Sequence, residues 1–295
     1  MNFSDVKKWY LTDTSNEVME VVDSNGNLIW QKPQNTVYFW IENLSGNTNT
    51  VTFKQLSSNT PKFYVYYNFD GSSSWFSVGY ISTTGINTTI SPHSRKYFRV
   101  KTDAWGNNSS NYGNYIQCSE QFKVGGNIMS LLYGDTFNGQ TEFPSGSFRN
   151  FAGLFRNNTN LVSASNLLLP ATTANSTCFG YMFQGCTSLT DTPKLPATTL
   201  ANACYREMFD GCTSLTETPE LPATTLAQYC YRNMFTGCTN LTKVTTYASN
   251  ISAISCLQDW LSGVSATGEF YNLGGATFTS GVSGIPTGWT EHTSL

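Results

Sequence analysis

Hydrophobic and polar positions along the chain follow two different periods. From about residue 154 to residue 260, the same order of apolar and polar residues returns every 26 residues. One block reads MFQGCTSLT, MFDGCTSLT and MFTGCTNLT at its three occurrences, and a second block reads LPATT, beginning at Leu169, Leu195 and Leu221. A fixed period of this length predicts a solenoid, in which each repeat forms one coil stacked on the previous coil.

Within one coil, the apolar residues are spaced for a short helix followed by a strand. Leu200, Cys204 and Met208 are four residues apart and would share one side of a helix over 200–209. Residues 215–221 then predict a short strand. One short helix and one strand per coil is the arrangement of leucine-rich repeats, so the sequence predicts a leucine-rich-repeat-like solenoid.

The repeat loses its regular frame at both ends. Residues 154–161 keep the apolar positions of the first block but lack its Gly and Cys, and Trp260-Leu261 replaces Met-Phe in the last copy. Terminal coils that differ from the others are expected to act as caps, because their outer faces do not meet another coil. Residues 263–295, rich in Gly, Ser and Thr, are predicted to cover the last coil.

Before residue 125 the apolar residues alternate with a period of two. Short alternating runs separated by Gly, Asn, Ser and Asp predict a β-sandwich over 34–124. The candidate strands are 36–42, 50–55, 62–69, 75–81, 87–90, 96–102 and 115–124. In the third of these, alternation assigns Phe63, Val65, Tyr67 and Phe69 to the core face.

Residues 1–33 predict a separate N-terminal β anchoring module. Residues 17–22 and 27–31 flank an Asn25-Gly26 pair, which favours a tight hairpin turn. A lone hairpin is marginally stable in water, so we expect it to pack with residues 8–11 or with another chain. The predicted fold is therefore mainly β with short helices: module 1–33, sandwich 34–124, and solenoid with caps 125–295.

Composition favours a protein that works outside cells and does not bind polyanions. Charged residues are 12% of the chain, about half the usual share, and the net charge is −3. We therefore expect no nucleic-acid partner, and no stretch is long and apolar enough to predict membrane insertion. Residues 1–9 lack the apolar segment of a secretory signal. The expected explanations are a trimmed signal or assembly into a virus particle released by lysis.

Seven of the eight cysteines form two columns at the repeat period. The columns are Cys178, Cys204, Cys230 and Cys256, and Cys186, Cys212 and Cys238. Equivalent positions on stacked coils predict a structural core ladder of small apolar side chains. Disulfides are disfavoured, because cysteines eight residues apart within a repeat would be about 12 Å apart in a helix. Zinc is disfavoured because the repeats contain no C-x-x-C motif and no histidine.

The two repeated blocks resemble the BspA-type leucine-rich repeats. Such repeats occur in surface proteins of gut bacteria and in structural proteins of phages that infect gut Bacteroidota. The resemblance covers about residues 125–290, with a similar lead-in at 122–135 and a similar closing segment at 283–290. Residues 22–30, VDSNGNLIW, are similar to the opening modules of phage tail and fibre proteins. The resemblance implies adhesion or recognition, and it brings no catalytic residues.

The sequence contains no motif of a known catalytic site. The two histidines, His93 and His292, lie in no nucleophile motif, and G-x-S-x-G, H-E-x-x-H and P-loop patterns are absent. An acidic pair brought together by folding, as in glycosidases, stays open as an alternative. We therefore predict no enzymatic activity, no catalytic or metal-ligating residues and no cofactor.

Comparison of the coils within the chain indicates a candidate binding face. The frame residues repeat, whereas two slots on the predicted strand vary from coil to coil. One slot holds Asp191, Glu217 and Lys243, and the other holds Lys194, Glu220 and Thr246. Such variation indicates either plain exposure or recognition adjusted from coil to coil. A second candidate is an aromatic platform of Tyr64 and Tyr66, which would stack on a sugar or protein partner or simply cover one sheet face.

Together these patterns predict a non-enzymatic phage virion structural protein, a fibre or decoration subunit. Its N-terminal module is expected to bind other virion proteins, and its repeats a host-surface protein or glycan. Fibre subunits are often symmetric, so a homo-oligomer is one expected state. The alternatives are a bacterial cell-surface leucine-rich-repeat adhesin, located on the cell instead of the virion, and a carbohydrate-binding module.

Overall fold

The structure, a computed structural model, is mainly β. It describes residues 8–11, 18–22, 28–31, 37–55, 64–69, 74–100, 114–144, 147 and 149–295. The strands are β1 (Lys8–Leu11), β2 (Val18–Val22), β3 (Leu28–Gln31), β4 (Phe39–Asn43), β5 (Asn49–Gln55), β6 (Tyr64–Asn68), β7 (Phe76–Tyr80), β8 (Ile86–Ile90), β9 (Arg95–Val100), β10 (Asn114–Cys118), β11 (Phe122–Asn127), β12 (Leu161–Leu168), β13 (Lys243–Thr246), β14 (Gly268–Asn272) and β15 (Trp289–His292). A one-turn helix, α1 (Ser130–Tyr133), and a 3₁₀ turn at Gly134–Thr136 follow β11.

The first three strands form an antiparallel sheet in the order β1-β2-β3. The strands expected within residues 1–33 are therefore present, and residues 8–11 pair with the hairpin as predicted. The Asn25-Gly26 turn that suggested the hairpin lies outside the described residues.

Two further sheets, formed by residues 37–127 together with β12, share one apolar core. One has the order β10-β5-β8 and the other the order β12-β11-β4-β9-β6-β7. Phe53 of β5 meets Phe98 of β9 between them, with ring centroids 5.2 Å apart. The predicted strand 115–124 is divided into β10 and β11, which belong to different sheets. At the turn between them, Asn49 Oδ1 accepts hydrogen bonds from the Ser119 and Glu120 amides.

The core face predicted for residues 62–69 is correct only in part. Val65 is fully buried and Tyr67 is half-buried, but Phe69 is 59% exposed and Asn68 is buried. The pairing of β6 with β7 shifts between Val65 and Tyr66, and such an irregularity interrupts the simple alternation of faces. Phe63 lies outside the described residues.

Strand β11 lies across the predicted boundary at residues 124 and 125. On one side it pairs antiparallel with β4, and on the other it pairs parallel with β12, the first strand of the repeat region. One cluster of buried apolar side chains extends from Phe39 in the sandwich to Trp289 near the end of the chain. The sandwich sheet therefore continues directly into the first coil.

The helix predicted over residues 200–209 is not formed. The Cys204 amide donates to the Ala201 carbonyl (3.3 Å), three residues back, whereas the Tyr205 amide donates to the Cys230 carbonyl (3.1 Å) of the next coil. Ala203 has a φ of 54°, and the same value recurs four residues later. An α-helix bonds every amide within the segment and keeps φ negative, so this segment is instead a ribbon of consecutive turns that bonds alternately within and between coils.

The strand predicted over residues 215–221 is also reduced. Glu217 and Leu221 form isolated bridges to Lys243 and Thr246, respectively, and no extended strand forms in this described stretch. Proline lacks an amide donor, and Pro219 interrupts the segment. Regular strands occur near the two ends of the repeat region, as β12 at its start and as the parallel sheet β13-β14-β15, whose first strand lies in the last coils.

Aromatic rings at the repeat period stack through the core of the coils. The rings of one column, Phe155, Phe183, Phe209 and Phe235, have centroids 5.5, 5.4 and 5.5 Å apart and are nearly parallel. A second column contains Phe151, Phe179, Tyr205 and Tyr231, and Trp260, from the Met slot of the last copy, stacks on its end. Equivalent residues of successive coils therefore lie directly on one another.

Candidate functional site

The first variable slot places three charged side chains in a row on successive coils. Lys243 Nζ bonds to Glu217 Oε2 at 3.0 Å, and this hydrogen bond raises the pKa of Lys243. Asp191 is exposed, and its Oδ2 accepts a hydrogen bond from Thr190 Oγ1 (2.9 Å). Glu217 and Lys243 therefore form an ion pair between adjacent coils.

The second variable slot is only partly at the surface. Lys194 and Glu220 are exposed, but Thr246 is 1% exposed. Thr246 belongs to β13, where it pairs with Asn272 of β14, and its hydroxyl accepts a hydrogen bond from the Ala248 amide (3.3 Å). The assignment of Thr246 to the binding face is therefore wrong, because the chain after the repeats covers this end of the slot.

Lys194 and Glu220 line a groove of about 440 Å³ between two coils. Its other lining residues are Thr192, Leu195 and four prolines, Pro193, Pro196, Pro219 and Pro222. No ion pair joins Lys194 to Glu220 in this described stretch, although they occupy equivalent positions on adjacent coils. The prolines were missed as site residues, and their recurrence at the repeat period was the available signal.

The groove lies where the backbone ladder between coils is interrupted. Among the described residues, no backbone hydrogen bond joins segment 192–197 to segment 218–223. On its other side, the second segment is bonded to the next coil, with Thr218 N donating to Lys243 O (3.0 Å). Prolines supply no amide donor, and the two segments carry two prolines each, which reduces the number of backbone hydrogen bonds that could join them.

The two tyrosines of the predicted aromatic platform lie in different surroundings. Tyr64 is 47% exposed and meets the edge of Tyr80, with ring centroids 6.0 Å apart. Tyr66 is half-buried, and the Arg99 guanidinium lies 5.5 Å from its ring centroid. Arg99 also lies over Trp75, at 4.6 Å. Tyr64 is therefore open to a ligand, whereas Tyr66 is occupied by its neighbours.

A polar cluster on the turn ribbons contains further slots that vary from coil to coil, with Gln184 and Asp210 in one and Arg206 in another. Gln184 Nε2 donates to Glu207 Oε2 (3.0 Å) and to Asp210 Oδ2 (2.7 Å) of the next coil. Arg206 Nε bonds to Glu207 at 3.1 Å, and burial raises the pKa of the Asp210 carboxyl. The two carboxylates are held by one amide and one guanidinium, so the arrangement links coils.

No protein-family model, curated protein or solved structure matches the chain. Within the described ranges, no group of three or more His, Cys, Asp and Glu side chains is placed to hold a metal ion. Nor does any described helix have the length and hydropathy needed to cross a membrane. The functional argument therefore rests on the groove and on the exposed slots beside it.

All eight cysteines lie in the described part of the chain and are buried free thiols. The thiols of Cys186, Cys212 and Cys238 each donate to a phenylalanine carbonyl of the preceding coil, at 3.1 to 3.2 Å. Burial raises the pKa of Cys238 to about 12 and also raises the pKa of the Cys178 thiol. Neutral, buried thiols are poor nucleophiles and poor metal ligands.

We expect none of the thiols to react with Ellman's reagent in the folded protein at pH 8, because each is neutral and buried. All eight should react once guanidinium unfolds the chain, and the reaction should follow the loss of circular dichroism. A Thr224→Cys variant, at an exposed position, provides the control and should react at once. Rapid reaction of a native thiol would contradict the buried ladder.

Proposed function

We propose that the protein is a non-enzymatic phage virion structural protein, a fibre or decoration subunit that recognises a partner on a host surface. The observation that carries this proposal is the groove between segments 192–197 and 218–223. Two exposed residues of a variable slot, Lys194 and Glu220, line it. A concave, largely apolar groove with a few polar groups is the usual form of a binding site.

The stacked coils are proposed to be of the leucine-rich-repeat type. This assignment rests on the resemblance of their two blocks to BspA-type repeats, since each coil contains a turn ribbon in place of a helix. The same resemblance supports a virion as the location and a recognition role for the coils. A bacterial cell-surface adhesin is the alternative location for the same groove.

Anchoring is proposed for the N-terminal sheet β1-β2-β3. Its strands pair among themselves, and residues 22–30 resemble the opening modules of phage tail and fibre proteins. In this proposal the sheet binds other virion proteins, while the coils at the other end of the chain remain accessible.

Fluorescently labelled protein should bind cells of gut Bacteroidota that serve as hosts. The double variant Lys194→Ala with Glu220→Ala should bind at least about tenfold more weakly, because both charges that border the groove are removed. A control is Glu142→Lys, a charge change at an exposed residue that does not line the groove, and it should bind as the native protein does.

Mass spectrometry of purified virions addresses the location and should detect the chain among the structural proteins. Detection on bacterial cells alone would favour the adhesin. Loss of cell binding in Tyr64→Ala with Tyr66→Ala, but not in the groove variant, would transfer the recognition role to the aromatic surface and favour the carbohydrate-binding alternative. Absence of cell binding by the native protein would contradict the recognition role.

A further inference from the structure

We propose that the groove binds an extended polypeptide segment of a partner protein, with an acidic side chain at Lys194 and a basic side chain at Glu220. The inference rests on the proposed recognition function for its biological setting and adds the chemical class of the ligand. Three features of the groove carry it: its unpaired main chain, its apolar lining and its two separated charges.

In segment 192–197, which borders the groove, the main chain has no backbone partner in the described structure. Within this described segment, no amide donates and no carbonyl accepts a backbone hydrogen bond. The segments before and after it are bonded to the preceding coil, through Asp191 O to Ala164 N (2.8 Å) and Thr198 N to Thr172 O (3.1 Å). An added peptide strand supplies amides and carbonyls together, which is how extended peptides join the open edge of a sheet.

The lining of the groove suits the side chains of such a peptide. Pro196 and Pro222 are partly exposed and supply apolar surface without side-chain donors or acceptors, and the buried Pro193, Leu195 and Pro219 also line the groove. Side chains of an extended peptide alternate in direction, so some would pack on the prolines while their neighbours reach the exposed charges. Prolines also hold the segment in an extended conformation, which lowers the entropy lost on binding.

Lys194 and Glu220 at the rim of the groove are complementary to a peptide that carries one acidic and one basic side chain. In the neighbouring slot, Glu217 and Lys243 meet at 3.0 Å, so side chains at equivalent positions of adjacent coils can reach each other. Lys194 and Glu220 form no such pair in the described structure. Each therefore remains available to a ligand group of opposite charge on its own side of the groove.

The test is selection of a displayed library of linear seven-residue peptides on the immobilised full-length protein. Enriched peptides should carry an acidic and a basic residue at a constant spacing. Charge reversal, Lys194→Glu with Glu220→Lys, should weaken binding of these peptides at least tenfold and should select peptides with the two charges in the opposite order. Glu142→Lys, a charge change at an exposed residue that does not line the groove, is the control and should leave the selection unchanged. Thiol protection shows that each variant is folded.

No enrichment, or enriched peptides that bind the charge-reversed variant equally well, would overturn the proposal. A glycan-array signal that the same charge reversal abolishes would assign the groove to sugars instead. If cell binding requires Lys194 and Glu220 but no peptide is selected, the recognition function stands and the ligand class is wrong. If peptides are selected but native protein does not bind cells, the ligand class stands and the proposed function is wrong.

Discussion

Gly126→Ala is expected to destabilise the fold by more than about 3 kcal/mol and to leave little folded protein at 37 °C. Gly126 has a φ of +72°, and a Cβ atom there would overlap the Tyr38 carbonyl oxygen and press on the Trp40 ring. The residue lies in β11, opposite Leu167 of β12, so neither strand can move away without losing the junction between sandwich and coils. Guanidinium denaturation followed by circular dichroism measures the loss.

Gly139→Ala is the matched control for this prediction. Gly139 has a φ of +78°, nearly the same as Gly126, but apart from its two chain neighbours no heavy atom of the described residues lies within 4 Å of the position its Cβ would take. This variant should therefore show only the backbone cost of a left-handed residue, about 1–2 kcal/mol. Equal losses in the two variants would mean that the close approach of β11 to Tyr38 does not exist.

Phe209→Ala should cost about 3–5 kcal/mol, because it leaves a ring-sized cavity in the core. Phe209 is fully buried, and its ring lies between Phe183 and Phe235 of the neighbouring coils at 5.4 and 5.5 Å. In a stack of coils, each coil is stabilised mainly by its neighbours. We therefore expect the denaturation curve to broaden as well as shift, because the coils on either side of the cavity become less coupled.

Phe76→Ala supplies the comparison for the cavity variant. Phe76 is 51% exposed on β7, so its truncation should cost less than about 1 kcal/mol. Comparison of the two variants distinguishes the effect of losing a stacked, buried ring from the effect of removing an exposed phenylalanine. A small effect of Phe209→Ala with an unbroadened curve would contradict the ring column.

The 26-residue period and most strands before residue 125 were predictable, but the conformation within a coil was not. Leu200, Cys204 and Met208 recur every four residues, and both an α-helix and a turn ribbon with a four-residue period place them on one side. The choice between the two depends on amides such as that of Tyr205, which bonds to the next coil. The spacing of apolar residues within one coil does not show which amides bond to the next coil.

The candidate binding face was predicted from variation between coils, and this signal identifies only part of the face. Variation between coils identifies exposed slots such as those of Lys194 and Glu220, because exposed positions are free to differ. It fails at Thr246, whose burial depends on β14, a strand outside the repeat. The groove lies where two coils are not joined by backbone hydrogen bonds. The pattern of residues along the sequence does not show directly where such bonds are absent.

The turn ribbons also determine how the stack would respond to mechanical load. In the described stretch 203–211, every second amide donates along the stacking direction to the next coil, from Ala203 N to Gln228 O through Gly211 N to Thr236 O. A tensile force applied along the stack is therefore shared by these hydrogen bonds, which lie side by side and are loaded at the same time. Two coils should separate only when all the hydrogen bonds between them break together, so the stack should lengthen under force in abrupt steps of one coil each.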